Sequence, residues 1–252
     1  MAEAQLEGGF RRRLGNLREV YQREGLATAV ASVWYWTAGR IWGWKRAYYF
    51  WVIMSGAWFD WTHGSDTGGV TSLEELGVDR TAGLFYMSAS PQFFSQMERH
   101  LPVDRGAFTF VDLGCGKGRV LMMATGKGYR RVIGVDISSS LISAAIKNTR
   151  GSSELVCANV LEFKFPMEPL VIFIYNSFFE EVTAKVISNL EQSIASRPRE
   201  VWILHLRPFV RGPLDHSDYF ELYHENRVEP LVYCIYRNRE PRVSAPARNE
   251  NS

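Results

Sequence analysis

Beyond residue 107, short apolar runs alternate with stretches rich in helix formers. Residues 107–112 form an apolar run that ends at an acid and a glycine cluster, and helix formers follow over 119–124. A second strand-like run covers 131–136 and also ends in an acid. Ser138, Ser139 and Ser140 then offer N-caps for a helix through Leu141, Ala145 and Ile146. Residues 154–158 are a third strand candidate. Residues 170–175 are a fourth, unbroken and apolar, as expected of a strand buried on both faces. A helix is predicted over 180–196 and a fifth strand over 200–206. Two last strands, 220–224 and 231–236, flank Glu229-Pro230 and fit a terminal hairpin. Alternating strands and helices predict an α/β fold with a doubly wound, mostly parallel sheet, and the hairpin adds an antiparallel strand.

The segment before this body has another character. Seven of the eight Trp residues lie between Trp34 and Trp61. Residues 1–61 carry a net charge of +3 and the remainder −1. Three units are expected: a basic, Trp-rich helical extension over 1–61, a catalytic-type body over 62–237, and a disordered tail over 238–252 rich in Arg, Asn, Glu and Pro. The uncharged stretches 25–39 and 47–59 fall short of the roughly 18–20 apolar residues of a spanning helix. Glu3 and Glu7 ahead of three arginines make a poor secretory signal. The extension is read as packing on the body, with peripheral membrane contact through 27–61 as the competing expectation.

The whole chain has 252 residues, 46% hydrophobic and 22% charged, with net charge +2. This is the balance of a folded domain rather than of a disordered or fibrous chain. The small net charge argues against a dedicated nucleic-acid binder. Cys115, Cys157 and Cys234 have no zinc-type or disulfide-framework spacing, and the five histidines have no ligand spacing, so no metal is expected. A reducing, cytoplasmic setting is the natural reading.

The strongest local signal is Val111-Asp112-Leu113-Gly114-Cys115-Gly116-Lys117-Gly118-Arg119. A strand runs through glycines into a helix, where backbone can approach a ligand closely. A dinucleotide fingerprint needs G-x-G-x-x-G, but here the third glycine falls one position early and Arg119 takes its place. Asp136 ends the next strand at the spacing of a ribose-binding carboxylate. Asp112 lies two residues before the first glycine, where it suits a cationic ligand better than a pyrophosphate. S-adenosylmethionine, with its sulfonium and ammonium, is the cofactor these residues favour over NAD.

With these residues the chain resembles the class I, seven-β-strand, Rossmann-like methyltransferases that use S-adenosylmethionine. Residues 108–119 look like their first motif and 132–136 like their second, within a resemblance over about 80–237. A narrower likeness is to a group of bacterial methyltransferases of unassigned substrate. It rests on Phe59-Asp60, His63-Gly64, Asp66-Thr67-Gly68 and Tyr86 to Pro91 ahead of the glycine motif. The resemblance implies that Gly114, Cys115, Gly116 and Gly118 wrap the methionine portion and that Asp112 helps hold its amino group. It implies that Asp136 binds the ribose, that Ile137 packs on the adenine with Val160 nearby, and that Asn159 accepts from the adenine amino group. Asn159 stands where the family usually has Asp.

The fourth strand ends in Tyr175-Asn176-Ser177-Phe178-Phe179. The resemblance implies an acceptor-facing turn here, like the turn that marks methylation of amino or amide nitrogen, although Ser177 replaces its Pro. Asn176 can accept from an N–H, and Phe178 or Phe179 can flank a flat or cationic group. As pocket residues Tyr86 and Asp66 are expected beside Asn176; His63, Glu180 and His205 are further base candidates. The expected activity is methyl transfer to nitrogen of a protein side chain or small amine, the acceptor itself being unknown. The alternatives are a small-molecule or lipid-linked O-methyltransferase and a non-catalytic S-adenosylmethionine-binding scaffold. Nucleic acid is not expected as a partner.

Overall fold

The computed structural model describes residues 22, 26–72, 86–175, 178–229 and 231–239. Asn176 and the tail from 240 onward, both named above, lie outside these residues. Two long helices come first, α1 (Leu26–Trp42) and α2 (Trp44–His63), joined at Gly43. A two-stranded antiparallel pair follows, β1 (Val70–Thr71) with β2 (Tyr86–Met87), and then α3 (Pro91–Glu98). The body continues with β3 (Thr109–Leu113), α4 (Arg119–Thr125), β4 (Arg131–Asp136), α5 (Ser139–Thr149) and β5 (Glu154–Cys157). It ends with β6 (Leu170–Tyr175), α6 (Glu180–Ser196), β7 (Val201–Leu206), α7 (Gly212–Asp215), β8 (Phe220–Asn226) and β9 (Tyr233–Asn238).

The seven longer strands form one sheet in the order β5-β4-β3-β6-β7-β9-β8. β3, β4, β5, β6 and β7 pair in parallel, whereas β9 runs antiparallel to both β7 and β8. This is the doubly wound, Rossmann-like sheet expected from the sequence, with the hairpin folded so that its second strand lies inside. Strand order reverses between β3 and β6, the place where open sheets of this type bind ligands at their carboxyl ends.

Local chemistry explains the element boundaries. β6 is apolar throughout and its first five residues are buried, as a central parallel strand requires. Ser138 caps α5, its side chain accepting from the Leu141 N–H. α3 opens with Ser90 at the cap and Pro91 in the first turn. α2 closes on Gly64 at φ 58°, a left-handed C-cap.

The sheet divides the core. One face carries Phe110, Phe173, Trp202, Leu204 and Tyr233 together with Phe93, Phe94 and Met97 of α3. Ala38 of α1 and Ala47, Tyr48 and Val52 of α2 belong to this same cluster. The other face joins Val111, Ile133, Ile172 and Ile203 to Val186, Ile187 and Leu190 of α6. The helical extension thus packs on the body through one face of α2.

Candidate active site at the carboxyl ends of the central strands

β3 delivers the chain into a turn held by the neighbouring strand. The N–H groups of Gly114 and Cys115 both donate to the Val135 carbonyl, at 2.8 and 3.0 Å. Gly114, Gly116 and Gly118 all have positive φ, at 85°, 54° and 86°. At Gly116 the need is also spatial, because a Cβ there would lie 2.1 Å from Cε2 of Tyr86. Only glycine lets the turn pass beneath that ring.

Two carboxylates face this turn with different environments. Asp136, at the end of β4, accepts from the N–H groups of Gly116 and Ser138, each at 2.9 Å. Burial pushes its carboxyl up, and backbone N–H groups of Ser138, Gly116 and Ile137 pull it back. Asp112 is almost wholly buried, and its Oδ2 has no hydrogen-bond partner among the described residues. Burial, with a smaller push from Asp136, raises its carboxyl well above the usual range. A buried carboxylate oxygen left without a partner is costly unless a cation arrives.

The residues expected at the adenine differ in exposure. Ile137 is exposed beyond Asp136. Asn159 Oδ1 accepts from the Leu161 N–H at 3.0 Å, leaving one of its lone-pair directions open. Val160 is buried behind it.

Arg119 has a role that the glycine pattern alone does not show. Its side chain is 2% exposed, and it donates to Asp60 Oδ2 at 3.2 Å, to Thr67 Oγ1 at 2.6 Å and to the Ala89 carbonyl at 3.3 Å. Asp60 in turn accepts from Ser65 and from both the N–H and hydroxyl of Thr67. Lys117 donates to the Gly68 carbonyl, Asn148 to the Asp66 and Lys117 carbonyls, and Arg150 to the His63 and Gly64 carbonyls. Residues 60–68 are therefore strapped over the start of α4 and the end of α5. The legible signal for this strap was Asp60, the single carboxylate between Glu24 and Asp66.

The expected pocket residues separate. Tyr86 is buried against Gly116, and its hydroxyl donates to the Thr67 carbonyl at 2.8 Å, so it joins the strap to the turn. Burial raises its phenol, which stays protonated. The Asp66 side chain is 88% exposed and faces Lys117 at 3.5 Å. His205 is buried in β7, its imidazole lowered to about 4 by desolvation. Phe178 enters the core beside α6, whereas Phe179 at the cap of α6 is exposed.

Sequence reasoning missed a second cluster at the ends of β6 and β7. In register, Leu113 lies beside Ile174, so Tyr175 stands next to the glycine turn. The Tyr175 and Tyr48 hydroxyls are 2.7 Å apart. Burial drives both phenols up, that of Tyr48 to about 12. Arg207 follows β7 at φ 46°, lies 4.1 Å over the Tyr48 ring and pairs with Glu229 at 2.8 Å. Its position in the left-handed region is a strained one for a side chain of this size.

A family model described as a methyltransferase domain matches residues 110–197, the span from β3 through α6. The chain is accordingly an enzyme of the methyl-transfer class. No curated protein matches it. Among solved structures, the ribosomal protein L11 methylase of Lactobacillus delbrueckii subsp. bulgaricus is 18% identical, with TM-score 0.45 over 59% of this chain and 78% of that one. A SAM dependent methyltransferase from Aquifex aeolicus is 14% identical, with TM-score 0.46 over 57% and 88%. Magnesium protoporphyrin IX methyltransferase from Synechocystis PCC 6803, with bound SAM, is 13% identical, with TM-score 0.40 over 52% and 69%.

The residues at the turn fit S-adenosylmethionine, the cofactor expected from the sequence. The partnerless Asp112 oxygen suits a cationic group, and a glycine turn admits close backbone approach. No group of three or more His, Cys, Asp or Glu among the described residues is arranged to hold a metal ion.

Proposed function

We propose that the chain transfers the methyl group of S-adenosylmethionine to a nitrogen of a protein side chain or small amine. The observation that carries the cofactor half is the buried Asp112 carboxyl, whose Oδ2 has no partner among the described residues, set beside the glycine turn. The acceptor half rests on the sequence Asn176-Ser177-Phe178 that follows β6. The cofactor supplies a methyl carbon already activated on a positive sulfur.

The chain's own residues bind, orient and exclude water. Gly114, Cys115 and Gly116 would hold the amino-acid portion against Asp112. Asp136 would take the ribose hydroxyls, and Ile137, Asn159 and Val160 would take the adenine. Tyr86 and the Asp60–Thr67 strap fix the turn, and a fixed turn would hold the cofactor ready for an acceptor. Asn176 accepts from the acceptor N–H and aims its lone pair. The bound cofactor would supply the methyl group, and the acceptor nitrogen would give its proton to water. Alignment does most of the work, because an amine that arrives neutral needs no general base.

A second reading is O-methylation of a small or lipid-linked molecule. The exposed apolar face of α2 favours it. The test is label transfer from methyl-tritiated S-adenosylmethionine into fractionated cell extract. Alkali-stable label in an amine or protein fraction is expected. Volatile label released by mild alkali would move the acceptor to a carboxyl oxygen. No label, with the cofactor still bound, would leave a binding scaffold.

A further inference from the structure

The helix that brings Tyr48 to Tyr175 has an opposite face that the other described residues leave largely exposed. Along α2, Arg46, Ile53, Met54, Ala57, Trp58 and Trp61 are exposed, while Phe50 stacks on Trp34 of α1 at 5.7 Å. They recur every three or four residues and so share one side of the helix. Trp61 is 73% exposed and Trp58 64%, their rings 5.1 Å apart. At the corner with α1, Ile41 and Arg40 are exposed as well. Contiguous apolar surface of this kind is rare on a protein with no further partner.

Charge selects the partner. Residues 26–59 contain Arg40, Lys45 and Arg46 and no carboxylate. All three cations lie at the α1–α2 corner. A second copy of the chain would meet this face with the same cations and no counter-charge. An anionic lipid surface supplies that charge, and Trp rings suit the depth of its headgroups. No helix among the described residues is long and apolar enough to cross a membrane, so contact is flat.

We propose that the outer face of α2, with the basic α1–α2 corner, docks on an anionic bilayer surface. The docking lies on the far side of α2 from Tyr48. The ends of β6 and β7 would then sit about one helix diameter, roughly 10 Å, above the headgroups. This inference does not depend on which atom is methylated.

The test is co-sedimentation of the full chain with vesicles of phosphatidylcholine and phosphatidylglycerol in equal parts, against phosphatidylcholine alone. Two double variants accompany it, Trp58→Ser with Trp61→Ser, and Arg40→Gln with Arg46→Gln. Thermal unfolding and the shift on adding S-adenosylmethionine confirm that each variant is folded and binds cofactor, independently of lipid. Binding to the anionic vesicles is expected, weakened by roughly tenfold or more in each variant and by salt. Three results would overturn the proposal. One is no sedimentation at low salt. Another is full binding by the Trp variant. The third is a concentration-dependent dimer in ultracentrifugation that the Trp variant abolishes.

Discussion

The Arg119 guanidinium and the Asp60 carboxylate meet at 3.2 Å across 59 residues of chain, with Arg119 almost wholly buried. The contact ties the end of α2 to the first residue of α4, directly after the glycine turn. Removing one partner of such a pair strands the other. Asp60→Asn should cost about 3–5 kcal/mol. The unfolding midpoint should then fall on the order of 10 °C. A midpoint unchanged in thermal melts would mean that water already reaches the pair.

Asp112 should trade stability for cofactor. Its folded carboxyl titrates above the unfolded value, so its contribution is favourable at low pH and is lost as pH rises through the raised value. At neutral pH, Asp112→Asn should therefore raise the midpoint of the cofactor-free protein by about 2–4 °C for each kcal/mol of relief. The same variant should bind S-adenosylmethionine more weakly. A cation beside Asp112 favours the ionised form, so binding should release a proton. Calorimetry in two buffers of different ionisation heat reads that proton. Identical heats would disconnect Asp112 from the ligand.

At Gly116 a methyl group has no room. Gly116→Ala would collide with Tyr86 and strain a left-handed backbone, which alone costs about 1–2 kcal/mol. Loss of cofactor-induced thermal stabilisation is expected. Adding Tyr86→Ala restores space but not the backbone, so recovery should be partial. Full recovery would show that the ring, not the φ angle, is the constraint.

Tyr48→Phe removes one hydroxyl from the Tyr48–Tyr175 contact. A stability loss of about 1 kcal/mol is expected. Cofactor affinity should be unchanged. If the cluster faces the acceptor, turnover with a labelled acceptor falls while cofactor binding holds. A parallel loss of both would place Tyr48 in general scaffolding.

His205 gives the chain an acid limit. Its folded pKa is depressed from 6.5 to about 4, so the neutral ring is the folded form. That stability is present above pH 6.5 and is lost as pH falls toward 4. The drop is on the order of 3 kcal/mol. Melts across this range should be shallower in His205→Leu. An equal slope in the variant would assign the acid loss to carboxylates.

What the sequence revealed followed from local chemistry. β6 announces itself as six apolar residues, and the glycine turn with Asp136 carries its spacing within one strand–helix–strand unit. The hairpin was legible from Glu229-Pro230 and its flanking runs. Which of its strands would lie against β7 was not, because the pairing of Leu206 with Tyr233 is set by the sheet edge rather than by either strand alone. Arg119 read as a misplaced glycine, and its partners Asp60 and Thr67 meet it only in three dimensions. Asp66 was legible as part of a phrase, but its neighbours fix its backbone and leave its side chain to water. Tyr48 and Tyr175 stand 127 residues apart, and no local pattern links them.

The shared cluster of Ala38, Ala47 and Val52 with Leu231, Tyr233 and Ile235 sets an order of events during synthesis. The α1–α2 hairpin leaves the ribosome long before the strand that completes the surface it covers. Until β9 arrives, the inner side of α2 lacks the surface of Leu231, Tyr233 and Ile235. Such long-range closure slows folding and exposes sticky surface meanwhile. A nascent chain stalled before residue 231 should therefore be a strong chaperone client, and release of the last strand should end that dependence.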